Sequence, residues 1–385
     1  MGLVLSHQHY HCQQCGRCCR RFLIPISRRE IEAISKLPWP NARDAREQCY
    51  AKYGGRTFLR VNPETTECLY LAEGHQCRMH AAFGSKCKTI SCRAYPFEFL
   101  RTFDDEITAA ARFDCPAIQD DTGEPLEYYR VDLEDILADP LMGALPPPFT
   151  EEQRDGLQRK TLEKIADFLK DALRASAVSV PALALLCQRL RRLGPVFVND
   201  LETLSTVLPS MCEKASKECS DARPVIGLNW PQRSALRKRM LEAIRFDRVK
   251  PDFSLGARLR QAGYSAQFLW GFGNPRVFGP DEPDISIHNA RLFDNDAWQY
   301  ADGVWECYRR CLAVRLESRQ FFGAAYYRKG FYDGLAALLD TWPLAVLLAR
   351  LHAAATDHPL RVETPDVKYA TGLIDHSHGR RVKLR

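Results

Sequence analysis

The chain has 385 residues, which allows two or three domains with ample core. Its 45% hydrophobic and 26% charged content is that of a folded globular protein and excludes a disordered chain. A net charge of +6 is mild for this length, so it permits an acidic partner without demanding nucleic acid, which is not expected as a partner.

Cysteine usage is the outlier. Of fifteen cysteines, ten fall at or before Cys115: Cys12, Cys15, Cys18, Cys19, Cys49, Cys68, Cys77, Cys87, Cys92 and Cys115. A cysteine-rich segment therefore stands in front of an ordinary domain. Residues 1–11 are too short and too polar for a secretory signal. Without export a disulfide framework is disfavoured against metal, and a cytoplasmic location is expected. His7, His9 and His11 read as a mobile polar leader. No apolar run reaches the ~18 residues of a membrane span. The closest, Leu335 to Leu351, is broken by Asp340, Pro343 and Arg350.

Cys12-Gln13-Gln14-Cys15-Gly16-Arg17-Cys18-Cys19 places four thiols within eight residues. Each Cys-x-x-Cys step sets two sulfurs on one side of a tight turn, close enough for one metal. Gly16 supplies the backbone freedom such a knuckle needs. Adjacent side chains point apart on a helix or strand, so Cys18 and Cys19 suit two centres, or one serves a metal and the other packs. Phe22-Leu23-Ile24-Pro25-Ile26 follows as a β-type run. Ser27 with Glu30 then forms a capping box for a helix striped by Ile31, Ile34 and Leu37 and ended by Pro38 and Pro40. Cys49 has no partner spacing and reads as structural. Cys68, Cys77, Cys87, Cys92 and Cys115 come at irregular spacings, unlike a zinc finger, so separate loops would bring them to the first knuckle. Thiolates suit zinc, copper(I) and iron–sulfur clusters and reject magnesium and calcium. Arg17, Arg20, Arg21, Arg78 and Arg93 lie beside these cysteines and would offset thiolate charge.

Cys12 to Arg20, Cys68-Leu69-Tyr70-Leu71, Cys77-Arg78-Met79-His80, Cys92-Arg93-Ala94-Tyr95-Pro96-Phe97 and Cys115-Pro116 together resemble the signature of a zinc- or iron-chelating cysteine-cluster (CxxCxxCC) family. The resemblance covers roughly residues 10–118. It implies a metal-ligand set of Cys12, Cys15, Cys18, Cys19, Cys68, Cys77, Cys92 and Cys115. Cys87 is extra to the pattern, and His80 is not an obligatory ligand. Lys88-Thr89 departs from the Arg-Pro or Lys-Pro that members often carry. Eight thiols could hold two zinc ions, or one iron–sulfur cluster (4Fe–4S) and a zinc. Flagellin lysine-N-methylases carry a similar module before a longer helical region, and this chain has that layout. That likeness implies an S-adenosylmethionine-dependent protein lysine N-methyltransferase acting on a protein with exposed lysines. The same residues also suit a non-enzymatic structural zinc module with a helical partner-binding domain, or an iron or redox handling protein. No catalytic or S-adenosylmethionine-binding residue announces itself.

Residues 119–149 read as a linker, with a turn at Asp120 to Gly123 and a stiff Pro146-Pro147-Pro148. Thr150 and Gln153 form a second capping box. Leu162, Ile165, Phe168, Leu169, Ala172 and Leu173 follow at helical spacing, as do stretches from Leu183, Val198, Leu236 and Tyr308. An irregular insert is expected around Gly271 to Pro283, where Gly271-Phe272-Gly273 lacks the third glycine of a nucleotide loop. Aromatics crowd from Trp298 to Tyr332, as helix core or as a cage for a cationic lysine. Cys307 and Cys311 share a helix face and read as core. Residues 356–385 read as a flexible basic tail. The expected fold is mainly α: a small irregular cysteine-rich metal-binding module at 1–118, then an all-helical domain at 150–355.

Overall fold

The computed structural model describes residues 2–40, 48–219, 228–246, 255–272, 291–355 and 360–379, apart from 54, 63, 64, 66, 177 and 327. Helices dominate, so the protein is mainly α, with few and short strands. Most of the expected insert and the end of the expected tail lie outside the described residues.

The helix Arg159–Arg174 buries Leu162, Ile165, Leu169 and Leu173, one stripe at helical spacing. It packs along Glu306–Glu317, and both join Val180–Leu193, Leu201–Glu218 and Trp342–Ala353 in one core. The Thr150 capping box does form, with Thr150 and Gln153 exchanging bonds of 3.2 and 3.3 Å. It does not open a helix directly. Asp155 and Gly156 adopt φ of 53° and 73°, which ends the turn, and the helix starts afresh at Arg159.

Strands gather in the first 125 residues. Gly2–Leu5 pairs parallel with Glu106–Ala111, which pairs antiparallel with Phe97–Phe103. His9–Tyr10 pairs with Glu124–Pro125. Of the histidine leader, His9 is therefore in a strand, where its backbone pairs with Pro125, while His7 and His11 lie just outside it. The stretch expected as a linker is also folded. It contributes Glu124–Pro125 and the helix Arg130–Ala138, which buries Leu133 and Ile136 against Ile90, Phe99 and Ala109. The expected flexible tail is corrected more sharply. Thr364–Ser377 is a helix packed on Trp342–Ala353, with Val367, Ala370, Leu373 and Ile374 buried. Its Pro at the first turn and a reciprocal Glu363–Asp366 capping box fix its start.

Phe331–Ala353 is apolar and long enough by composition alone to cross a membrane, but most of it is buried in the fold. It consists of two helices, Phe331–Leu339 and Trp342–Ala353, joined at Asp340 and Thr341.

A seam of buried charge joins the sheet to the helices. Arg315 donates to Asp375 at 2.7 Å, to Glu98 at 3.0 Å and to Gln320. Phe113 N donates to the other Asp375 oxygen at 2.7 Å. Asp114 accepts from Arg112 and lies 2.8 Å from His376 Nδ1. Burial raises the Asp114 pKa, but His376 and Arg112 outweigh it and leave the carboxyl below its ordinary value.

His378 is buried beside this seam, and burial, with Arg315 adding, lowers its pKa from 6.5 to about 3. The unfolded chain takes up this proton first. Stability from His378 is thus complete above its ordinary pKa and is lost as pH falls toward the folded value. Between pH ~6.5 and ~4 the residue alone should remove about 3 kcal/mol. Urea titrations across that range should show a shallower pH slope for His378→Phe than for the parent chain.

Candidate metal centre

Gly16, at φ 68°, precedes the helix Arg17–Arg21. A Cβ there would lie 3.1 Å from Leu71 Cδ1 and 3.3 Å from His75 Cβ, so both conformation and room call for glycine. Gln14 is left-handed as well, at φ 53°. These reversals leave Cys12 and Cys15 exposed, whereas Cys18 and Cys19 enter the helix half-buried. The Sγ atoms of Cys18 and Cys19 are 4.0 Å apart.

Loops carry the other thiols to this knuckle. Cys68 N donates to Cys19 O at 2.8 Å. Cys77 pairs with Leu71 in an isolated bridge and precedes the helix Arg78–Phe83. Cys92 lies in Ile90–Ala94, where Thr89 accepts from its backbone N–H at 3.4 Å. Cys115 precedes Pro116–Asp120.

Cys12, Cys15, Cys18, Cys19, Cys77, Cys92 and Cys115 line one cavity of about 290 Å³. Cys68 lines an adjoining cavity of about 40 Å³, together with Cys18, Cys19, Cys77 and Cys92. Each of the eight cysteines of the expected set thus lines at least one of these two adjoining cavities, and Cys18, Cys19, Cys77 and Cys92 line both, while Cys49 and Cys87 line neither. Cys307 and Cys311 are buried and pack with Cys115, Phe113 and Val314. The aromatic stretch is likewise core: Tyr308, Phe321, Phe322 and Phe331 are buried, so they form no open cage.

Residues that motif spacing did not reveal complete the larger cavity: Tyr10, His75, Lys88 and Tyr95. Tyr95 stands inside the quoted Cys92 motif, which could have drawn attention to it. Lys88 stands where the resembled family often carries Arg-Pro or Lys-Pro, which is the signal that could have marked it. Burial lowers the Lys88 pKa, but the sulfurs of Cys92, Cys77, Cys18 and Cys12 raise it further, so the ammonium persists.

The arginines expected around the thiols divide by role. Arg17 lines the cavity. Arg20 donates to Glu67 at 2.8 Å and to Cys15 O at 3.3 Å, which braces two cysteine loops. Arg78 donates to Leu69 O, and Arg93 pairs with Asp139 at 3.0 Å. Burial pushes the Cys92 thiol up to about 11 and that of Cys115 to about 12. A metal binding here would have to displace thiol protons, so its uptake would release acid.

Among the described residues, no three His, Cys, Asp or Glu side chains converge tightly on one point. The thiols instead stand around the cavity. A four-thiolate zinc ion, with Zn–S of about 2.3 Å, needs its sulfurs about 3.8 Å apart. The 290 Å³ cavity is near the small end of small-molecule pockets and roomier than one ion needs. An all-sulfur donor set fits zinc or an iron–sulfur cluster.

Fold and site together define a mainly helical protein with a thiol-lined cavity in its first 120 residues. No family model, no curated protein and no solved structure matches the chain.

Proposed function

We propose that this chain is a metal protein whose centre is held by the thiolates of Cys12, Cys15, Cys18, Cys19, Cys68, Cys77, Cys92 and Cys115. The observation that carries this reading is the meeting of these thiols, from five separate stretches of chain, at two adjoining cavities. In this reading residues 1–118 act as a cysteine-rich metal-binding module on a helical body. Iron in a sulfide-bridged cluster is favoured for the larger cavity because of its volume, with zinc as the other occupant the donors accept. Arg17 and Lys88 offset the negative charge of the thiolates, and Arg20 holds the Cys15 and Glu67 loops in register. Fifteen free thiols suit a reducing compartment, so the cytoplasm is the proposed location.

The catalytic part of the proposal rests on the resemblance to lysine methylases. A methyl group would pass from S-adenosylmethionine to the Nζ of a lysine on a partner protein. When bound, the donor would supply the methyl group: its sulfonium–carbon bond would break as the nitrogen–carbon bond formed, with the amine proton leaving to solvent.

The test begins with protein purified without oxygen. Iron with matching labile sulfide, or zinc in tetrahedral thiolate coordination, is the expected content. Intact thiols with neither metal would overturn the reading. Calorimetry of the metal-loaded protein with S-adenosylmethionine, followed by a radiolabelled methyl-transfer assay on a lysine-rich protein, tests the catalytic part. Metal without donor binding would leave a structural zinc module or an iron and redox handling protein.

A further inference from the structure

Trp230, Leu259, Trp270 and Phe272 are 54 to 64% exposed. They belong to one helical hairpin, Trp230–Phe246 and Leu255–Trp270, whose helices pack on each other. Its inner side is closed, with Met240, Ile244 and Phe268 buried in the main core. Its outward side is apolar as well. Leu259, Ala262, Gly263, Ala266 and Trp270 recur at helical spacing, and all five are exposed. A helix on a globular surface ordinarily turns charged residues outward, so a second apolar face calls for a partner. Charge gathers at the same place. Residues 228–272 hold nine Lys and Arg against three Asp and Glu, a surplus equal to the +6 of the whole chain. The rest of the chain is therefore neutral in sum. Beside the tryptophans, Arg233 and Arg237 lie over the Phe293 ring at 5.5 and 5.1 Å. Among the described residues neither pairs with a carboxylate: they reach only the carbonyls of Leu228 at 2.9 Å and Leu269 at 3.5 Å. Arg237 Nε is buried without a partner, and burial together with Arg233 lowers the Arg237 pKa.

We propose that this face of the hairpin docks an acidic amphipathic helix of a partner protein. The site is independent of the thiol-lined cavities. The partner's apolar stripe lies between Leu259 and Trp270, a length of about 16 Å or three helical turns. Its carboxylates meet Arg233 and Arg237, which relieves two like charges that the fold leaves uncompensated. The small Ala262, Gly263 and Ala266 leave a trough between the larger end residues, where the ridge of a second helix fits. A Cβ added at Gly263 would meet nothing within 4 Å, so the trough is open. A lipid surface would instead be served by large side chains at the middle of the face. A single strand of nucleic acid stacks on rings that stand free, whereas Trp230 and Trp270 lean on each other with centroids 5.5 Å apart. A second copy of this chain would set the same positive surplus against itself.

The full chain is titrated into a fluorescein-labelled helical peptide that carries leucines at i, i+3, i+4 and i+7 and glutamates on its other face. A twin peptide with lysines in place of the glutamates is the control. The glutamate peptide should bind at micromolar concentration, more weakly as salt rises, and at least about tenfold more tightly than its twin. Trp230→Ala with Trp270→Ala should weaken that binding about tenfold or more. Arg233→Glu with Arg237→Glu should reverse the preference, so that the lysine peptide binds better. Circular dichroism checks the helices of both variants, and where one pair of changes disturbs them the other pair carries the test. Equal affinity for the two peptides, no binding by about 100 µM, or an unchanged preference after the arginine changes would overturn the proposal. So would a chain that takes anionic vesicles or single-stranded DNA through these tryptophans in preference to the peptide. A dimer in sedimentation that the tryptophan changes dissolve would put a second copy on this face and overturn it as well.

Discussion

Removing bound metal with a strong chelator is expected to unravel the loops between Cys12 and Cys92 while the helices from Arg159 onward stay folded. Those loops share a small core of Ile24, Ile26, Ile34, Leu59, Tyr70 and Met79. Their only regular pairing among the described residues is the two-stranded Tyr50–Tyr53 and Arg56–Leu59. A lone hairpin is marginal in water, and cores this small usually need a staple. A structural metal held by thiolates contributes on the order of 10 kcal/mol to folding, more than such a core supplies. The helices have a different and much larger core, from Leu157 to Ile374 with Leu100 and Phe149 joined to it. Hydrogen exchange read peptide by peptide is the measurement. A local loss of even ~3 kcal/mol gives about a hundredfold faster exchange in the loops. Peptides from Arg159–Arg174 and Trp342–Ala353 should exchange as before. Unchanged exchange across the loops after complete metal removal would show that packing, and not metal, holds them.

Replacing Arg315 by methionine is expected to cost about 3–5 kcal/mol of stability. Arg315 is 1% exposed, and its guanidinium faces Asp375, Glu98 and Gln320. Methionine fills a similar volume but leaves the Asp375 carboxylate with Phe113 N and the weak Cys311 Sγ donor at 3.5 Å. A buried charge stripped of its partner keeps its full desolvation cost. Because Glu98 lies on the strand Phe97–Phe103 and Asp375 on the helix Thr364–Ser377, the loss also loosens the sheet from the helices. Urea unfolding measures the size of the effect. The double variant Arg315→Met with Asp375→Asn should cost clearly less than the sum of the two single changes, since the unpaired carboxylate is then gone. Strict additivity would mean that the pair is not coupled.

The helices of the body were readable in advance because their cause is local. Leu162, Ile165, Leu169 and Leu173 mark one face of Arg159–Arg174 whatever that face meets. The Ser27–Glu30 capping box is equally local, and it formed as its spacing required. Thr364–Ser377 hid for the opposite reason. It is buried nearly all round, with Asp366, Thr371, Asp375 and His376 inside beside Val367 and Leu373. No apolar stripe survives such a pattern, and only the partners across the seam make it a core helix. The strand role of Gly2–Leu5 likewise depends on Glu106–Ala111, some hundred residues away.

The thiols show the same division. Spacing alone marked Cys12, Cys15, Cys18 and Cys19 as a group, since a tight turn is a local geometry. The remaining four were named by resemblance to a motif, because no local rule says where a loop returns. The thiols' range from exposed Cys12 and Cys15 to buried Cys68 and Cys115 came only with packing. Lys88 and Tyr95 became neighbours of the thiols in the same way. A turn or helix stripe is a property of a few consecutive residues, whereas a cavity wall is assembled from segments that know nothing of each other until the core closes around them.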